Sequence, residues 1–112
     1  KLELGNIDVS RDWGWSADYA KAMHLMLTKN REYNDYIIAS GSTYSLRRFI
    51  DEVFAIEHLD PGKYIVISST LFRPSELDYS ALSSLKIQAE LGWAPTYTIE
   101  DIATKMYYEQ LF

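Results

Sequence analysis

Apolar residues recur along this chain with two periods, and the switches between them mark out the elements. Residues 2–9 alternate and are rich in Leu, Ile and Val, which predicts a short extended segment ending near Asp12. Ser16 stands as the N-cap of a following helix, with Asp18 favourable in its first turn. Ala20, Met23 and Leu27, with Tyr19 and Met26 alongside, form an apolar stripe at helical spacing and carry that helix to about Thr28. Lys29 to Asp35 reads as a polar loop. Asp35-Tyr36-Ile37-Ile38-Ala39 is a short β-rich run stopped by Ser40-Gly41-Ser42-Thr43. Leu46, Phe49, Ile50, Val53 and Phe54 then fall at i, i+3, i+4, i+7 and i+8, an amphipathic helix capped by Ser45 and ending near Leu59.

Asp60-Pro61-Gly62 reads as a turn, and Tyr64-Ile65-Val66-Ile67 as a strand. Ser83 or Ser84 caps a short helix to Leu91, stopped by Gly92 at the C′ position. Thr98 caps the last helix, with Asp101 placed to reach back in a capping box. Its buried face comprises Ile99, Ile102, Ala103 and Met106, with Tyr107 and Leu111 further on. The order extended–helix–strand–helix–strand–helix–helix predicts α/β layering with some parallel pairing, few short strands and four helices. Three extended segments make a thin sheet, so the apolar helix faces are expected to cover surface from another piece of chain. An isolated product of this length is expected to be marginal or oligomeric.

Bulk properties narrow the function. At 112 residues, 47% of them hydrophobic and with only five Gly and three Pro, the chain has the composition of one small globular domain. The net charge of −5 and the lack of any Lys/Arg block argue against nucleic acid or an acidic membrane as partner. There is no cysteine and no run of eighteen apolar residues, which fits a cytoplasmic protein. Lys1-Leu2-Glu3-Leu4 opens without methionine inside a strand pattern and reads as part of a longer or processed polypeptide.

Candidate chemistry gathers in two places. Leu4 to Gly14 packs Asn6, Asp8, Arg11, Asp12 and Trp13 ahead of the first helix. Arg11 offers a rigid fork of donors suited to two oxygens of a phosphate or carboxylate, and Trp13 could wall such a site. The plainer alternative pairs Arg11 with Asp8 or Asp12 and leaves Trp13 in the core. Leu71 to Asp78 repeats the theme: Arg73, pushed toward extended backbone by Pro74, precedes Glu76 by three residues.

Other chemistry is missing. No glycine fingerprint follows a strand, none of the nine tyrosines has a lysine four residues on, and two histidines without cysteine make a metal site improbable. His24, lying in the first helix, reads as structural. From the residues alone this is a binding module with no catalytic or metal-ligating centre of its own.

LGNIDVSRDWGWSADY, YIIASG, FRPSELD and ELGWAPTYTIEDI together resemble the C-terminal part of the GDP-mannose 4,6-dehydratases, in register over nearly the whole chain. These are extended short-chain dehydrogenase/reductases acting on nucleotide sugars. The resemblance implies the substrate-binding portion of a Rossmann enzyme whose NADP is held mainly by an N-terminal part absent here, with no cofactor expected for this chain alone. The whole enzyme would oxidise the sugar at C4, lose water across C5 and C6, and return hydride at C6. Arg11 and Arg73 would hold the diphosphate and Glu76 the ribose hydroxyls of GDP, with Asn6 and Trp13 as site walls. Expected partners are the GDP-sugar, the N-terminal part and further copies in a homo-oligomer. The chain departs from the family pattern at three places: Trp15 stands where His is usual, Leu82-Ser83 where Gly-Asp is usual, and Val9-Ser10 where Ala-Lys is commoner. A related nucleotide-sugar dehydratase, epimerase or reductase therefore stays open, as does a ligand-free interaction domain derived from this fold.

Overall fold

The computed structural model describes residues 1–29 and 34–109. Ten short elements follow in order: β1 (Leu2–Leu4), β2 (Ser10–Asp12), α1 (Ser16–Lys29), β3 (Thr43–Ser45), α2 (Leu46–Ile56), α3 (Pro61–Tyr64), β4 (Ile65–Ile67), a 3-10 turn (Ser69–Leu71), α4 (Leu85–Leu91) and α5 (Ile99–Glu109). The α/β order expected from periodicity is present, with one helix more than the four anticipated among the described residues. The extra one is α3, where a turn was expected: Asp60 caps it by accepting the Gly62 N–H at 2.9 Å, and Pro61 supplies the preset φ of a first helical residue.

The extended N-terminal stretch divides between two small sheets. β1 pairs in parallel with β4, Leu2 opposite Ile65 and Leu4 opposite Ile67, whereas β2 pairs antiparallel with β3, Arg11 opposite Tyr44. Asp35–Ala39 forms no strand: it runs beside the core with Tyr36 and Ile38 half-buried, Ile37 exposed and Ala39 buried. It keeps the alternation of a strand but has no ladder, because periodicity reports burial, not a hydrogen-bonding partner.

Local capping follows the sequence at Ser45, Thr98 and Gly92, whereas Ser84 stands at the N-cap position of α4 without a side-chain cap hydrogen bond. Ser45 accepts the Arg48 N–H at 3.2 Å to start α2. At α5, Thr98 Oγ1 accepts the Asp101 N–H while Asp101 returns to the Thr98 N–H at 3.0 Å, closing the capping box. Gly92 ends α4 with φ of 70°. Ser16 is a helical residue and not the cap of α1; the Trp15 carbonyl takes the first helical N–H groups. α2 stops at Ile56, short of Leu59. His58 there adopts φ of 55° and Leu59 N–H reaches back to Phe54 O at 3.0 Å, a Schellman ending without glycine.

The core lies between α1 and α4: Ala22, Ile87, Leu91 and Trp93 are buried together, with Tyr19, Leu25 and Met26 packed on them. The anticipated α1 stripe is thereby corrected. Ala20, Met23 and Leu27 are exposed, Leu27 by 86%. The helix buries the face that meets α4, and that face includes a carboxylate, Asp18. On α5, Ile99, Ile102 and Ala103 are buried as expected but Met106 is exposed; Leu111 and most of the 29–35 loop lie outside the described residues.

The radius of gyration is 16.8 Å, against about 13 Å for an ordinary domain of this length. The accessible surface of 7857 Å² likewise exceeds the roughly 6,300 Å² of a compact monomer of this mass. Leu2, Val66 and Ile67 on the parallel strands add to the open apolar surface of α1. Parallel strands are ordinarily covered on both faces.

Candidate functional site

β2 is bonded on both sides, and this determines what meets Arg11. On one side Ser10 and Asp12 pair with β3. On the other, Ser10 N–H donates to Asp78 O at 2.8 Å and Ser80 N–H donates to Ser10 O at 3.0 Å. The segment that follows Arg73-Pro74 is thus stitched along β2. A second close approach brings in its beginning: a Cβ added at Gly5 would sit 2.8 Å from the Leu71 carbonyl oxygen, so the backbone passes Leu71 at a distance only glycine permits.

These two constraints fold four of the five expected residues into one cleft. Asn6, Arg11, Arg73 and Glu76, with Gly5, Val9, Leu46 and Leu71, line about 300 Å³. Arg11 Nη1 donates to Ser10 O at 2.8 Å and Nη2 to Glu76 Oε1 at 3.0 Å. The other carboxylate oxygen of Glu76 lies 3.9 Å from Arg73 Nε. Asn6 Oδ1 takes the Asp8 N–H at 3.0 Å and so fixes the bend that enters the cleft.

Neither acid of the plainer alternative holds Arg11. Asp8 takes Arg47 Nε at 2.8 Å, and that hydrogen bond holds its carboxyl below the ordinary range. Asp12 accepts the Ser40 and Gly41 N–H groups, both at 2.8 Å, pinning a turn in which Gly41 has φ of 79°. Arg11 is left to an acid 65 residues away, which nothing in the local pattern announces.

Trp13 is placed elsewhere. Its indole N–H donates to Tyr44 O at 2.9 Å, and its ring stacks on Phe49 with centroids 5.2 Å apart. It lines a separate depression of about 220 Å³ with Ser40, Ser42, Tyr44 and residues 95–99. Trp13 therefore does not wall the arginine cleft, because β2 ends at Asp12 and the chain turns toward α2. Of the departing positions, Val9 lines the cleft. Trp15 does not: its ring lies 5.3 Å from Lys105 Nζ and 5.9 Å from Tyr97.

Sequence reasoning missed the role of Asp18, which is 1% exposed. Its carboxylate accepts the Thr96 N–H at 2.8 Å, the Thr96 hydroxyl at 2.7 and 2.9 Å, and Lys21 Nζ at 3.3 Å. Burial pushes the carboxyl up, but the Thr96 donors and Lys21 outweigh it and hold it below the ordinary range. A carboxylate in a helical first turn gives no sign of such distant donors.

Among the described residues the cleft carries two guanidinium groups against one carboxylate, in a chain of net charge −5. This local excess of fixed planar donors suits an anion with several oxygens, such as a diphosphate. Among the described residues no group of three or more His, Asp or Glu side chains is placed to hold a metal, and no helix is long and apolar enough to cross a membrane.

Comparison with known proteins gives a consistent picture. The family model described as GDP-mannose 4,6 dehydratase matches residues 1–106. GDP-mannose 4,6 dehydratase 1 of Arabidopsis thaliana is 36% identical over 111 residues, covering 99% of this chain and 30% of its own length. The Homo sapiens GDP-mannose 4,6 dehydratase is 30% identical over 126 residues, covering 96% of this chain and 33% of its own. The chain thus spans about a third of these curated relatives. Among solved structures, RMD from Pseudomonas aeruginosa, complexed with NADPH, superposes with a TM-score of 0.78 at 26% identity, covering 96% of this chain and 36% of its own. The dTDP-glucose 4,6-dehydratase of Bacillus anthracis, in complex with NAD, shares the fold with a TM-score of 0.83 at 22% identity, covering 99% and 35%.

Proposed function

Because this chain belongs to the GDP-mannose 4,6 dehydratase family, we propose that it is the nucleotide-sugar-holding part of an NADP-dependent dehydratase acting on a GDP-hexose. The observation that carries this reading is the meeting of Arg11, Arg73, Glu76 and Asn6 in one cleft. Arg11 and Arg73 grip the diphosphate, and Glu76 accepts hydrogen bonds from the ribose hydroxyls. Binding energy realised there, away from the reacting carbons, holds the hexose in position for chemistry performed by other residues.

NADP supplies the hydride transfer in the whole enzyme. The residues of this chain do not fit it: Gly5, Gly14, Gly41, Gly62 and Gly92 do not make a strand–turn–helix phosphate cradle. The cofactor is assigned to an N-terminal part of the same enzyme. That part would also cover β1, β4 and the open face of α1, in keeping with the excess surface of the chain. Self-association into a homo-oligomer and a cytoplasmic location go with this reading.

Arg73→Ala in the intact protein tests it. Loss of one charge-assisted contact should weaken GDP binding about tenfold or more, with a smaller effect on kcat. Unchanged GDP affinity would sink the reading, and a reduced kcat at constant KM would move Arg73 into the chemistry.

A further inference from the structure

Among the described residues Glu76 is the only acid lining a cleft built around two arginines, and its two oxygens face different partners. Oε1 is hydrogen-bonded to Arg11 at 3.0 Å, while Oε2 stands 3.9 Å from Arg73, beyond hydrogen-bond length. The arginines are held unequally. Arg11 is about two-thirds covered and fixed from two directions, by Glu76 and by the carbonyl of its neighbour Ser10. Arg73 is 80% exposed and only loosely drawn in.

We propose that Glu76 is a positioning residue for phosphate recognition: it locks the Arg11 fork in its binding orientation and keeps Arg73 within reach as a closing arm. The ligand diphosphate then takes Arg73 while Arg11 stays bound to Glu76. This role is separate from any contact of Glu76 with ribose, and it rests on the reading of the cleft as a diphosphate site.

The physical argument turns on a conflict of signs. By charge alone, a carboxylate beside a phosphate site is unfavourable, and removing it raises the formal charge of the cleft from +1 to +2. A fixed donor fork gains more from an anion than a wandering one, because the entropy of ordering the side chain is already met before the ligand arrives. If orientation dominates, neutralising Glu76 weakens anion binding although the cleft becomes more positive. Charge alone predicts the reverse.

Inorganic pyrophosphate, which has no ribose, separates the two roles of Glu76. Its binding to the intact protein is measured by calorimetry beside that of GDP, for wild type, Glu76→Met and Glu76→Asp. Glu76→Met keeps the length and loses both the charge and the hydrogen-bond acceptor; Glu76→Asp keeps the charge and is one methylene too short to reach Arg11 as Glu76 does. Both should bind pyrophosphate about tenfold more weakly than wild type. Equal or tighter binding by either variant overturns the inference, as does failure of the wild type to bind pyrophosphate at 10 mM (about ten times a 1 mM Kd) while it binds GDP. Failure of the wild type to bind GDP would instead remove the underlying functional reading.

Discussion

Asp18 and Thr96, 78 residues apart, are joined by a carboxylate that takes both the backbone N–H and the hydroxyl of the threonine. The bond ties the first turn of α1 to the strap that enters α5, beside the buried Trp93, whose indole N–H donates to the Asp18 carbonyl at 2.8 Å. Asp18→Ala would strand these donors and should destabilise the fold by about 2–3 kcal/mol. The folded state holds the Asp18 carboxyl below its ordinary range. Its contribution is therefore complete above the unfolded value of about 3.9 and is lost as pH falls through the lower folded value. Denaturant titrations at descending pH should show a shallower acid limb for Asp18→Asn than for wild type. Identical limbs would mean that the Asp18 carboxylate is not what the strap depends on.

Arg11 should resist replacement by lysine. Its guanidinium reaches Ser10 O with one terminal nitrogen and Glu76 with the other, and an ammonium cannot span that fork. The pair is partly solvated, so Arg11→Ala should change the melting point of the free protein by less than the equivalent of about 1 kcal/mol. The extra stability conferred by saturating GDP should shrink in Arg11→Ala and recover little in Arg11→Lys. A lysine variant with a full GDP response would reduce Arg11 to a point charge. A free protein melting far lower, with its GDP response intact, would make the residue scaffolding.

His58 offers a gain in stability. It sits at the left-handed position that ends α2, with φ of 55°. A side chain costs about 1–2 kcal/mol in this conformation, partly recovered by the greater unfolded-state freedom of glycine. His58→Gly should raise the stability of the intact protein by about 0.5–1 kcal/mol, read as a higher denaturant midpoint. A lower midpoint would show that the imidazole contributes more than the strain removes.

What could be read in advance divides by distance along the chain. The Ser45 cap, the Thr98–Asp101 box and the Gly92 stop each depend on residues within about one helical turn, where side-chain chemistry and backbone position are directly linked. The cleft was legible only as its members: arginine chemistry and family resemblance singled out Arg11, Arg73 and Glu76, while the bridge among them arises from two strand contacts at Ser10 and the passage of Gly5 past Leu71. α1 misled because its apolar residues populate two faces. Helical spacing connects Ala20, Met23 and Leu27 as readily as Ala22, Leu25 and Met26, and only the position of α4 decides between them. Trp13 misled for a related reason: its stacking on Phe49 depends on where the chain turns after Asp12.

The bond from Trp93 to Asp18 also sets a clock. At about 5–20 residues per second of synthesis, the 75 residues between them take roughly 4–15 s to make. For most of that interval Ala22 lacks Ile87, and for all of it Trp93, to pack against, and a helix of 14 residues is marginal in water by itself. The α1–α4 core thus closes only after most of this chain has been made. A nascent chain stalled before Trp93 carries α1 as a fluctuating segment whose inner face, Ala22, Leu25 and Met26, is open to any chaperone that recognises apolar side chains.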